Sequence, residues 1–151
     1  MKQIAMTAGA LLLATAAQAA ETADTAGNPL IEIPAFHSAS GIFDIEALEA
    51  LGRVSSPQVS PDGKRVLFGI SYENVELNRS NNDLYVMNID GSGLTRITAT
   101  EKSENGAVWF EGGAKIAFMS ADADGKPQLW IMNADGSGRI QASEVEGGIN
   151  G

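Results

Sequence analysis

The chain of 151 residues contains no cysteine and a single histidine. Disulfides, thiolate metal sites and cysteine nucleophiles are therefore excluded. Basic side chains are scarce, with 10 Lys and Arg against 19 Asp and Glu and a formal charge of −9. No cluster of Lys or Arg offers a footprint for phosphates, so nucleic acid is not an expected partner. Beyond the N-terminus no apolar run approaches the roughly 20 residues of a spanning helix, so the mature chain is expected to have no membrane partner. The G-x-S-x-G pentapeptide of a hydrolase nucleophile elbow is also missing. His37 sits between Pro34 and a small-polar stretch, without the positioned serine and orienting carboxylate that a general base needs, and reads as a solvated loop residue. No catalytic, cofactor-binding or metal-binding residue is assigned.

What is present begins with an export leader. Met1-Lys2-Gln3 is a short positive region, Ile4 to Ala16 an apolar one, and Ala17-Gln18-Ala19 supplies small residues for cleavage. The expectation is a signal peptide over 1–19, cleavage after Ala19 and a periplasmic or secreted product. A linker over 20–42 follows, with Pro29, Pro34 and no periodicity. A short helix is expected over 43–52: Asp44 can cap it, Phe43 and Leu48 can form a hydrophobic staple, and Gly52 can stop it. Ala47, Leu48 and Leu51 then share one face that must dock.

From Val54 onward short strands alternate with turns. Pro61-Asp62-Gly63, Asp90-Gly91, Glu111-Gly112-Gly113, Asp124-Gly125 and Asp135-Gly136 punctuate strands such as Val66–Phe68–Ile70. Leu84 to Gly93 reads "LYVMNIDGSG" and Leu129 to Gly138, 45 residues on, reads "LWIMNADGSG". Each copy belongs to a unit of about four strands. Strands with large apolar groups on both faces need a neighbour on each side. A period in the forties with four strands per unit therefore indicates an all-β chain holding about two blades of an incomplete β-propeller. The expected bounds are 53–100 for one blade, 101–143 for the next and 144–151 for the start of a third. A two-sheet sandwich fits the strand lengths but gives no reason for the repeat. With an open apolar blade face, the isolated chain is expected to be marginally stable or prone to aggregate.

The stretch Leu51 to Gly93, "LGRVSSPQVSPDGKRVLFGISYENVELNRSNNDLYVMNIDGSG", with "FDIEALEAL" before it, resembles the start of the propeller in secreted members of the prolyl oligopeptidase family, in the dipeptidyl peptidase V and acylaminoacyl peptidase branch. The resemblance implies a serine exopeptidase in which the propeller shields an α/β-hydrolase domain and restricts entry to small peptides. The catalytic residues of that family lie in the hydrolase domain, so the implied partners are further blades, that domain and peptide substrates, and this chain alone is expected to be inactive. "SPDGK" also occurs in Tol-system propellers. A non-catalytic periplasmic TolB-like propeller that binds proteins is the alternative.

Other motifs have plainer readings. Asn133, Asp135, Ser137, Gly138, Ile140 and Glu144 match the spacing of a calcium loop. Such a loop joins two helices, whereas a strand precedes this one, so no metal or other cofactor is expected. Asp122 and Asp124 are expected to support a hairpin. Tyr85, Trp109, Phe118 and Trp130 are expected to pack between blades. "NRS" at Asn78 matches a glycosylation sequon, but the export context reads as bacterial, and "GSG" at Gly91 to Gly93 lacks the Lys and helix of a phosphate loop.

Overall fold

A computed structural model describes residues 41, 45–75 and 77–149. The leader, the linker with His37 apart from Gly41, and Phe43 and Asp44 lie outside the described residues. Those described form α1 (Ile45–Glu49) and eight strands: β1 (Arg53–Val59), β2 (Arg65–Asn74), β3 (Arg79–Asn88), β4 (Thr95–Arg96), β5 (Asn105–Phe110), β6 (Lys115–Ala121), β7 (Pro127–Asn133) and β8 (Ile140–Gln141). The strands make two antiparallel meanders, β1-β2-β3-β4 and β5-β6-β7-β8. This is the architecture of two propeller blades.

The repeated decapeptide is turn chemistry. After β3, the Ser92 amide and hydroxyl donate to Asp90 Oδ1 at 2.9 and 2.7 Å, and Asn88 Nδ2 donates to Ser92 Oγ at 3.0 Å. After β7, Ser137 donates to Asp135 Oδ1 at 2.9 and 2.6 Å, and Asn133 to Ser137 Oγ at 2.9 Å. The turn needs left-handed backbone at two places, and glycine holds both: φ is 85° and 66° at Gly91 and Gly93, and 87° and 66° at Gly136 and Gly138. These turns are hairpin closures between strands, and Asn133, Asp135 and Ser137 of the calcium-loop spacing bond to one another there. Asp122 serves a hairpin in the same manner, its Oδ1 accepting from the Asp124 and Lys126 amides at 2.9 Å each.

The units also share a β-bulge. The β1–β2 register slips between Ser55 and Gln58, and the β5–β6 register between Asn105 and Val108. Ser56 and Gly106, 50 residues apart, occupy these slips with φ of 48° and 60°. The core lies between the sheets: Leu67, Leu84 and Val86 of the first meet Ala107, Ile116, Phe118 and Met132 of the second, with Ile97, Trp109 and Trp130 packed alongside. Full burial of each large side chain contributes about 1.5–3 kcal/mol.

Two expectations need correction here. The helix has five residues, and Leu48 and Leu51 are 55% and 53% exposed while Ala47 is buried; a helix this short cannot carry an apolar stripe over three turns. Gly52 has no positive φ; it is needed because a Cβ there would lie 2.6 Å from Ile70 Cγ2 and 2.8 Å from Tyr72 Cζ.

Candidate functional site: the uncovered face of the second sheet

One face of each sheet carries a row of paired side chains that crosses all four strands. In the first sheet the row is Gln58–Leu67–Val86–Thr95. The second sheet covers its centre, leaving Leu67 0% and Val86 8% exposed. Register places Val108–Ala117–Ile131–Ile140 as the matching row of the second sheet, with Met119 paired to Leu129 beside it. Nothing comparable covers that row among the described residues. Val108 is 43% and Ile140 60% exposed, and Ala117, Met119, Leu129 and Ile131 are only half-buried. The centre of the face is apolar and suited to burial against another body, with Lys115 on the same face of β6 paired to Glu111 at 3.0 Å.

The sealed seam shows how such a face is closed. Trp109 Nε1 donates to the Gln58 carbonyl at 3.2 Å. The Arg65 guanidinium lies 4.8 Å from the centre of the Trp109 ring and donates to the Gly113 carbonyl at 3.0 Å. At the opposite end, Glu104 and Arg139 form an ion pair at 2.8 Å. Arg139 sits 4.6 Å from the Trp130 ring centre and 5.1 Å from that of Phe118, and donates to Ser120 Oγ at 3.2 Å. Thr100 Oγ1 donates to Glu104 Oε1 at 2.6 Å, and Asn82 Nδ2 donates to the Glu104 carbonyl. Burial pushes the Glu104 carboxyl above its ordinary range, outweighing the Thr100 and Arg139 hydrogen bonds that pull it down.

Trp109, Phe118 and Trp130 thus pack between the sheets as expected. Tyr85 does not join that seam: strand alternation turns it to the other face of the first sheet, 4% exposed and stacked on Phe68 with ring centroids 6.0 Å apart. Burial there pushes its hydroxyl up to about 12. Asp83 shares that face, paired with Arg96 at 2.7 Å, and burial raises its carboxyl despite the pair. Neither ion pair was anticipated from the sequence. The available signal was an acid inside an apolar strand, Asp83 in "NNDLYVM", which a buried partner must compensate.

Asn78 is exposed at the β2–β3 hairpin tip with φ of 48°. Between the two bulges opens a cavity of about 220 Å³ lined by Ser55, Ser56, Asn82, Asn105 and Gly106 among others. It is smaller than the roughly 300–1,000 Å³ of a small-molecule site. Among the described residues, no group of three or more His, Asp or Glu is placed to hold a metal ion, and no helix is long and apolar enough to cross a membrane.

Known proteins carry the same pattern. Dipeptidyl-peptidase 5 of Porphyromonas gingivalis is 45% identical over 106 residues, which is 70% of this chain and 15% of that protein. Dipeptidyl-peptidase 5 of Porphyromonas endodontalis is 30% identical over 125 residues, 83% of this chain and 17% of that protein. The chain therefore spans less than a fifth of the curated relatives it matches. Among solved structures, the acylaminoacyl peptidase of Pyrococcus horikoshii superposes with a TM-score of 0.53 at 18% identity, over 66% of this chain and 15% of that one. The model of the TolB beta propeller domain matches residues 43–150, both sheets and the helix before them. Repeat, blade topology and match coincide over the same residues, and the chain belongs to the TolB beta propeller family, PD40.

Proposed function

We propose that this chain is the opening part of the propeller of an exported serine exopeptidase, where it scaffolds and gates a hydrolase domain rather than performing chemistry. The observation that carries the reading is the 45% identity to a dipeptidyl-peptidase over 106 residues, a stretch long enough to include most of both sheets. Small peptides are the substrates of the parent enzyme, admitted past the propeller to a site on the hydrolase domain. Export rests on the leader read at Met1 to Ala19.

A chimera tests it. Residues 43–149 replace the matching stretch of the Porphyromonas gingivalis dipeptidyl-peptidase, and release of dipeptides from a short chromogenic peptide is compared with cleavage of a long unfolded polypeptide. The expected result is retained dipeptide release with the long chain still excluded. A chimera that melts like its parent yet releases no dipeptide, or admits the long chain, overturns the reading.

A further inference from the structure

We propose that Asn105-Gly106, at the bulge of β5, is a site of spontaneous covalent modification in the folded chain: the Gly106 amide nitrogen closes on the Asn105 side chain, and the ring opens to leave isoaspartate or aspartate at position 105. Only the chain and water take part. The bond from Gly106 N to Asn105 Cγ forms, the Cγ–Nδ2 bond breaks, and the side-chain nitrogen leaves as ammonia together with the Gly106 amide proton. Water then opens the cyclic imide. Attack at the Asn105 main-chain carbonyl leaves isoaspartate, whose peptide link runs through Cγ, and attack at Cγ leaves aspartate with the ordinary link.

Residue type and placement both favour this position. Asparagine is among the thermolabile residues of proteins, and ring closure is fastest before glycine because any other side chain crowds the attacking nitrogen. In this sequence Asn105 and Asn150 are the asparagines that precede glycine, and Asn150 lies outside the described residues. Asn105 and Gly106 are both exposed, and a Cβ on Gly106 would meet nothing within 4 Å, so the ring and the incoming water have room. A regular strand suppresses the reaction, since its ladder holds the amide in a hydrogen bond and its extended backbone keeps that nitrogen away from the side-chain carbon. At this bulge the ladder is broken. The pair Asn105–Met119 is followed by Val108–Ala117, so Gly106 and Ala107 stand opposite Phe118 alone, with Gly106 at a φ of 60°.

The product fits the same place. Isoaspartate lengthens the main chain by a single carbon, which in a regular ladder would offset every later pair. Between Asn105 and Val108 the strand already holds an extra residue, so the added carbon falls where pairing is interrupted and the register of Val108, Trp109 and Phe110 with β6 is kept. The new carboxylate stands at an exposed position and carries no burial cost. Other sites in the chain lack one requirement or another. Ser55-Ser56 holds the corresponding bulge of β1 and has no amide to lose. Asp90-Gly91 and Asp135-Gly136 would form the same imide by losing water, but hydrogen bonds from Ser92 and Ser137 hold their carboxyls below the ordinary range, and an ionised carboxylate is a poor electrophile.

The full chain is aged in mildly alkaline buffer over a series of urea concentrations, digested with trypsin, and the peptide spanning 103–115, between the cuts after Lys102 and Lys115, is followed by mass spectrometry and by labelling with an isoaspartyl methyltransferase. Reaction from the folded state gives a rate that is flat in urea below the unfolding transition and within roughly tenfold of the rate in fully unfolding urea. A rate that instead climbs with the unfolded fraction, or a peptide that stays unmodified until the chain unfolds, overturns the proposal. The corresponding bulge offers a gain-of-function arm: Ser55→Asn with Ser56→Gly should create a second site in the folded chain, reacting within roughly tenfold of Asn105. No isoaspartate at position 55 would show that the bulge is not what permits the reaction. The modified chain, separated by its added negative charge, should keep a cooperative urea transition, and loss of that transition would show that the bulge does not absorb the added carbon. No peptide hydrolysis is read, so failure here and failure of the chimera are separate outcomes.

Discussion

The Arg139 guanidinium donates to Glu104 Oε1 at 2.8 Å within the second unit, tying the residue before β5 to the residue before β8 while the glutamate is wholly buried. Removing the cation leaves an uncompensated buried carboxylate. Arg139→Met should destabilise the chain by about 3 kcal/mol or more at neutral pH, because breaking a buried pair costs more than the pair contributes. Equilibrium urea unfolding of the two proteins measures the difference. A loss below about 1 kcal/mol would show that solvent reaches the carboxylate.

The same glutamate gives a pH dependence with a definite sign. Burial raises its folded value above the ordinary 4.5, so the native state holds the proton more tightly than the unfolded chain. Its favourable contribution is present below the unfolded value and is lost as pH rises through the folded one. Glu104→Gln mimics the protonated form at every pH. The variant should therefore gain on the wild type as pH climbs from about 4 to 7, and unfolding midpoints across that range check it. The turn carboxylates Asp62, Asp90, Asp122 and Asp135 shift the opposite way through their hydrogen bonds, and their contribution is lost as pH falls. They act equally in both proteins, so they cancel in the comparison. If Arg139 rather than burial dominated, the variant would lose ground instead.

A natural replacement for the other buried pair is written in the repeat. Asp83 and Arg96 correspond, 45 residues on, to Gln128 and Gln141. Gln128 does its work without charge: its Oε1 accepts from Ser143 Oγ at 2.8 Å and Val145 N at 3.0 Å. Arg96→Gln alone strands Asp83 and should cost about 3 kcal/mol. Asp83→Gln with Arg96→Gln should recover most of that loss, because two amides carry no ionic desolvation cost. A double-mutant cycle by chemical unfolding decides it, and strict additivity of the two changes would rule out their coupling.

The architecture was legible because its signals are local. Asp90-Gly91 and Asp135-Gly136 declare their turns by residue type, and the restated decapeptide declares the repeat. The sidedness was not legible. With apolar groups on both faces of "RVLFGI", alternation alone cannot say that Leu67 enters the seam while Phe68 leaves it, and Tyr85 follows Phe68 by register. Only the position of the second sheet breaks that symmetry. The Glu104–Arg139 pair was out of reach for a related reason: it joins residues 35 apart in the chain, and Ile149 occupies the Glu104 position of the next unit, so the repeat does not restate it. Ser56 shows no bulge signal in its residue type, whereas its counterpart Gly106 does.

Gly91 and Gly136 occupy the same place in the two copies of the turn, with φ of 85° and 87°, yet their surroundings differ. A Cβ on Gly91 meets nothing within 4 Å, whereas one on Gly136 lies 2.5 Å from the Ile97 backbone oxygen. Gly91→Ala should therefore cost only the left-handed penalty of about 1–2 kcal/mol. Gly136→Ala carries the same penalty and must also push the second sheet's turn away from the first sheet, adding about 1–3 kcal/mol. The difference between the two variants isolates how tightly the sheets are pressed together, because the backbone strain cancels. Calorimetric or urea unfolding of both supplies it. Equal losses would mean that the seam yields freely at Ile97, and the rigid contact between neighbouring sheets would have to be sought at the Trp109 end instead.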